Sequence, residues 1–197
     1  MPPTIRLAMP DDAEQVQAIY APYCHTPISF ESEPPSVKEM RGRLTKVLGE
    51  YPWLLCEHGG EVLGYVYATQ HRERAAYRWS VDTTVYVRQG RQRRGLGRAL
   101  YTSLLAVLPL QGYANAYAGV TLPNPASVGL HTALGFQSVG VYRQVGFKCG
   151  AWHDVAWFQR PLQPLLDEPS PPRRVDEVRH TAEWVEALGG GLQLLRD

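Results

Sequence analysis

The chain has 197 residues, with 20 Lys and Arg against 19 Asp and Glu and a formal net charge of +1. That balance excludes the global positive field that draws proteins to nucleic acid or to anionic membranes, and the length suits one hydrophobic core. Cys24, Cys56 and Cys149 are odd in number and widely spaced, against a disulfide framework or a zinc knuckle. No apolar stretch approaches the length of a membrane span, so a cytoplasmic location with no membrane partner is expected.

In chain order, Asp11 and Glu14 form a helix-start signature for a helix with Ala13, Val16, Ile19 and Tyr20 on one face. Ser36 and Glu39 repeat it ahead of Met40, Leu44, Val47 and Leu48, ending near Gly49. Between them His25 to Phe30 reads as a loop. Trp53 to Glu57, a His58-Gly59-Gly60 turn and Val62 to Ala68 predict a hairpin, followed by a strand from about Trp79 to Val87. Leu96, Leu100, Leu104 and Leu108 recur every four residues and predict a helix. A strand near Tyr117 to Thr121 follows, then a helix capped by Asn124 with Pro125 in its first position, closing at Gly135. Strands at Gln137 to Val145 and Val155 to Arg160 complete the order, which implies an α/β mixed sheet with helices on its faces.

Residues 1–162 are expected to form this domain. From Gln163, prolines among charges read as a linker, and Val175, Val178, Ala182, Val185 and Leu188 suggest a short amphipathic helix stopped by Gly189-Gly190-Gly191, so 163–197 is an extension.

The most informative segment is Val85 to Leu100. A strand runs into a basic loop with Gly95 and Gly97, and the loop opens a helix whose first N–H groups have no internal partner and favour anions. Arg91, Arg93, Arg94 and Arg98 add charge suited to phosphate. A dinucleotide-binding loop would need a third glycine where Leu100 stands, and a P-loop would need Gly-Lys-Ser or Gly-Lys-Thr. What remains, Gln92-x-x-Gly95-x-Gly97, resembles the acetyl-CoA pyrophosphate loop of the GNAT superfamily of N-acetyltransferases.

That resemblance implies the GNAT fold, a mixed, mostly antiparallel sheet flanked by helices, with a splayed strand pair holding acetyl-CoA and no metal. It implies cofactor contacts from Val85, Tyr86, Val87, Gln92, Arg93, Arg94, Gly95, Leu96, Gly97 and Arg98, with the oxyanion held by a backbone N–H near Val87. Asn124 and Ser127 would lie beside the pantetheine arm. His131 stands where the family usually has a Tyr that protonates the departing thiolate, and a core histidine is the alternative.

The histidine, with Tyr51-Pro52-Trp53-Leu54, Tyr77-x-Trp79-x-Val81, Thr84-Val85-Tyr86-Val87 and Trp152-His153-Asp154-Val155, resembles the phosphinothricin and methionine sulfoximine acetyltransferase branch from about Ile5 to Leu162. The branch carries Glu where this chain has Asp82. The carboxylate is one methylene shorter, about 1.5 Å less reach, so it would remove the acceptor's proton directly or through one water. Phe30, Arg72, Arg74 and Tyr77 match acceptor-pocket positions, and the resemblance implies a homodimer.

Trp152-His153-Asp154 by itself reads as a tight turn with Asp capping backbone, not a metal site. Three functions are carried forward. The leading one is acetylation of the α-amino group of a small amino acid or analogue by direct attack; the others are acetylation of a protein or peptide amine, and non-catalytic acyl-CoA binding. Nucleic-acid binding is not expected, because the arginine loop lacks interleaved aromatics.

Overall fold

A computed structural model describes residues 2–196; Met1 and Asp197 lie outside the described residues. Seven strands form one sheet: β1 (Thr4–Leu7), β2 (Trp53–His58), β3 (Glu61–Gln70), β4 (Ser80–Val87), β5 (Asn115–Thr121), β6 (Gln137–Lys148) and β7 (Ala151–Pro161). Their order is β1-β2-β3-β4-β5-β7-β6. Every neighbouring pair is antiparallel except β4 with β5.

Helices cover both faces. On one lie α1 (Ala13–Tyr20) and α2 (Val37–Val47), closing a core with Val16, Ile19, Met40, Leu44, Trp53 and Tyr65. On the other lie α3 (Leu96–Gln111) and α4 (Pro125–Ala133), whose core includes Val66, Val81, Leu100, Leu104, Leu108, Ala118 and Phe158. The four-residue spacing of the α3 leucines puts them on its sheet-facing side.

The capping box at Ser36 is present as the sequence predicts: Ser36 Oγ accepts from Glu39 N, and the Glu39 carboxylate accepts from Ser36 N. Asn124 caps α4 by accepting from Ser127 N at 3.1 Å.

Four expectations change. The strand β1 was not legible, because four residues between prolines carry too little pattern; Ile5 is buried and pairs opposite Cys56. Asp12, not Asp11, organises the first helix. Its carboxylate accepts from Met9 N and binds Arg6, while Asp11 lies outside against Arg41. Trp152-His153-Asp154 lies within β7, not in a turn, because the β6–β7 hairpin is longer than its pattern suggests. Asp154 does accept from a backbone group, Gln144 N at 2.7 Å, opposite a bulge in β6.

The extension forms two helices, α5 (Val175–Val178) and α6 (Ala182–Gly189), not one. Thr181 restarts the helix by accepting from Trp184 N, and this shifts the phase of the buried face. Trp184 is therefore buried, while Val185 is 64% exposed.

Candidate functional site

Strands β4 and β5 pair only from Ser80 to Asp82, against Asn115 to Tyr117. Beyond Asp82 they part. Arg88 N donates to Leu63 O across the β3–β4 ladder, and antiparallel bonding alternates, so Thr83, Val85 and Val87 direct their backbone groups toward the split. The carbonyl of Val87 accepts from the Tyr23 hydroxyl at 2.6 Å.

The loop after β4 leads from the split to α3. Gly90, Arg93 and Gly95 have φ of 79°, 64° and 80°, a conformation that curls the backbone tightly. Gly95 starts the 16-residue α3 with no side-chain cap, so the first N–H groups of the helix are left for a ligand. Arg93, Arg94 and Arg98 are exposed around them. Arg91 instead pairs with Glu61 at 3.1 Å, and Gln92 turns back to accept from Gly90 N. Gly97 is close to Leu130 of α4, so any side chain there would press on the helix opposite. The uncapped helix start, the positive-φ backbone and three exposed guanidinium groups fit a pyrophosphate.

Asp82 sits where the split begins. Its register partners, Thr69 and Tyr117, set it on the α1/α2 face. Burial pushes its carboxyl above the ordinary value, against the pull of His71 and Arg72. His71 Nδ1 lies 2.6 Å from Asp82 Oδ1. The His71 ring stacks on Tyr117 at 4.3 Å, with Tyr77 edge-on at 6.0 Å and Trp157 at 6.4 Å. Arg72 lies over the Trp157 ring at 5.7 Å. Next to them a cleft of about 580 Å³, lined by Tyr67, Thr69, His71 and Arg72, runs toward the Glu31–Arg43 ion pair.

Of the acceptor residues named from sequence, Arg72 and Tyr77 gather around His71. Arg74 is exposed at the start of the short turn 75–77 and holds it by accepting from Tyr77 N. Phe30 lies further along the same face, against Gly146 and 6.4 Å from His153. Its loop is fastened by Lys148, whose ammonium donates to the carbonyls of Cys24, Ser29 and Glu31.

His131 takes the core position that the sequence reading held as the alternative. The ring lies in the core at 3% exposure with both nitrogens engaged. Nδ1 meets the Ser127 carbonyl at 2.8 Å, an acceptor only, so Nδ1 carries the proton, and Nε2 faces the Tyr101 hydroxyl at 3.0 Å. Burial holds the imidazole below its ordinary value, hence neutral. Ser127 Oγ stands 3.4 Å from the same ring, while Asn124 is half-buried at the α4 start.

Sequence reasoning assigned no role to His71, Trp157, Tyr117 or Lys148. The first was within reach, since it stands next to Arg72 in the sequence and a shortened carboxylate invites a partner. The others depend on which strands become neighbours.

Comparison with known proteins identifies the family and the fold. The acetyltransferase (GNAT) domain family matches residues 5–157. The chain is 41% identical over 178 residues to phosphinothricin N-acetyltransferase of Streptomyces viridochromogenes, covering 90% of this chain and 95% of that one. It is 36% identical over 126 residues to an L-methionine sulfoximine/L-methionine sulfone acetyltransferase of Pseudomonas aeruginosa, covering 64% and 73%. A GNAT superfamily phosphinothricin acetyltransferase from Sinorhizobium meliloti, solved in complex with acetyl-CoA, superposes with a TM-score of 0.82 at 33% identity, covering 86% and 94%. With its split β4–β5 pair leading into an uncapped, arginine-ringed helix start, the chain belongs to the GNAT family of acetyltransferases.

Proposed function

We propose that this enzyme transfers the acetyl group of acetyl-CoA to the α-amino group of a small amino acid or analogue, of the phosphinothricin or methionine sulfoximine type, by direct attack. The observation that carries it is the position of Asp82, a half-buried carboxylate at the point where the sheet opens. Acetyl-CoA supplies an activated thioester. This chain's residues hold it, with the Arg93, Arg94 and Arg98 guanidiniums and the α3 N–H groups at the phosphates. The backbone of Val85 to Val87, with Asn124 and Ser127, flanks the arm.

An α-ammonium has no lone pair, so it must lose a proton before attack, and Asp82 is the carboxylate at hand. His131 contributes by holding the Tyr101 hydroxyl, which lies 3.2 Å from Thr83 Oγ1 on the split strand, and not by touching the sulfur. Arg72, Arg74, Tyr77 and Phe30 bound the acceptor end. The contacts of Tyr77 with His71 and of Phe30 with Gly146 support a small acceptor over a protein chain.

In this reading residues 1–162 form the catalytic unit and 163–197 an extension docked on α3. Two copies pair through β6 and β7, where Val139, Tyr142, Val145, Phe147 and Trp152 are each more than half exposed. No helix among the described residues is long and apolar enough to cross a membrane, and the three cysteines are free, which accords with a cytoplasmic enzyme.

The test is thiol release from acetyl-CoA against methionine sulfone, methionine sulfoximine, phosphinothricin, common amino acids and peptides. Turnover on the analogues or on free amino acids is expected. Turnover on peptides alone would move the function to protein acetylation, and tight acetyl-CoA binding without turnover on any amine would make the chain a binding module. Sedimentation of Trp152→Glu tests the pairing, with a shift to monomer expected.

A further inference from the structure

His71 is hydrogen-bonded to the proposed base, and its ring is well held. Its Nδ1 is 2.6 Å from Asp82, its face lies on Tyr117, and Tyr77 and Trp157 pack edge-on around it. Among the described residues Nε2 makes no hydrogen bond, while the side chain keeps 12% exposure. Four contacts thus fix an imidazole and leave one polar atom free, on a residue that lies beside the start of the split and lines the cleft.

We propose that His71 Nε2 is the atom that accepts the proton from the acceptor's ammonium, with Asp82 positioning the ring and balancing its charge. This rests on the acetyltransferase reading and specifies its base. Asp82 falls about one C–C bond, ~1.5 Å, short of the glutamate that the branch resemblance implies, and the imidazole extends the proton-accepting atom beyond the carboxylate. Histidine is also the side chain most often used in this role, and a carboxylate behind it fixes tautomer and orientation.

The step balances as follows. One N–H proton of the ammonium passes to Nε2 while Nδ1–H stays on the Asp82 carboxylate. The freed lone pair forms the C–N bond to the acetyl carbon, the C–S bond breaks, and its electron pair leaves on sulfur. The second amine proton lost on forming the amide neutralises the thiolate, and the imidazolium returns its proton to solvent. Facing the ring are Asp82 from β4, Tyr117 from β5, Tyr77 and Arg72, with the Glu31–Arg43 pair across the cleft.

Three variants test this with acetyl-CoA and whichever acceptor the wild type uses best. His71→Asn keeps a donor to Asp82 in place of Nδ1 and removes Nε2. It should lower kcat about 100-fold or more, with acetyl-CoA affinity unchanged. Adding imidazole to His71→Ala should restore turnover, more with a more basic imidazole, which a purely structural role would not produce. Asp82→Asn should cost less than His71→Asn. A His71→Asn rate near wild type, or a larger loss in Asp82→Asn with no imidazole rescue, would overturn the dyad while leaving the acetyltransferase standing. Wild-type silence on every amine would overturn both.

Discussion

Arg196 donates its backbone N–H to the carbonyl of Arg94 at 3.0 Å, joining the end of the described chain to the loop between β4 and α3. The neighbouring Leu194 carbonyl faces Gly95 so closely that a Cβ there would collide with it, and Gly191 lies equally tight on the backbone of Ala99. Ser103 Oγ, donating to Leu188 O at 2.7 Å, fixes the preceding turn. The extension therefore packs directly against the loop and the first turns of α3.

Truncation after Gly189 should raise KM for acetyl-CoA roughly tenfold, equivalent to losing one or two net hydrogen bonds of ordering, and leave kcat for bound substrate much less affected. Gly95→Ala should act the same way and also destabilise the fold by about 1–3 kcal/mol, since φ of 80° strains an L residue. Steady-state kinetics with acetyl-CoA varied, beside urea unfolding, check both. An unchanged KM in the truncated chain would remove the tail from cofactor binding.

Lys148→Met should loosen the loop that carries Phe30, because one ammonium holds three carbonyls of that loop. Charge-assisted bonds are the stronger kind, so KM for the acceptor should rise about tenfold while KM for acetyl-CoA stays put. Lys148→Arg should recover part of the loss. Equal effects on both substrates would point to general unfolding.

The His131 ring makes stability depend on pH. Its folded-state value lies below the ordinary 6.5 because of burial, so below that pH the unfolded chain takes up a proton that the native state refuses. This group's contribution is complete above about 6.5 and is lost as pH falls from there toward the lower folded value. His131→Gln should therefore lose less stability than wild type between pH 7.5 and pH 5.5 in urea unfolding. Parallel losses would place the ring in contact with solvent.

Asp82 carries the opposite sign. Its folded-state value is raised, so its contribution to stability is present below the ordinary carboxylate value and is lost as pH rises through the folded one. At pH 8 Asp82→Asn removes a half-buried charge but keeps an acceptor for His71, so the variant should unfold at equal or higher urea concentration while losing activity. A clearly less stable variant at pH 8 would mean that the ion pair outweighs the desolvation.

Local chemistry carried much of this protein into its sequence. The capping box at Ser36, the Asn124 cap, the Gly59-Gly60 turn and the leucine row of α3 each act within a few residues, and the loop from Gln92 to Gly97 joins a strand to a helix with a recognisable backbone demand. Those residues, through the resemblance they carry, were enough to name the fold and the cofactor. What they left open depends on pairing across the sheet. Tyr117 reaches Asp82 only because β5 runs parallel beside β4, Phe30 meets Gly146 only because the β6–β7 hairpin extends past its legible pattern, and a change of helical phase at Thr181 decides that Trp184 and not Val185 is buried. His71 shows the division most clearly: its identity was in plain view, but its contact with Asp82 joins the residue after one strand to the third residue of the next, and only the register of β3 on β4 brings them together.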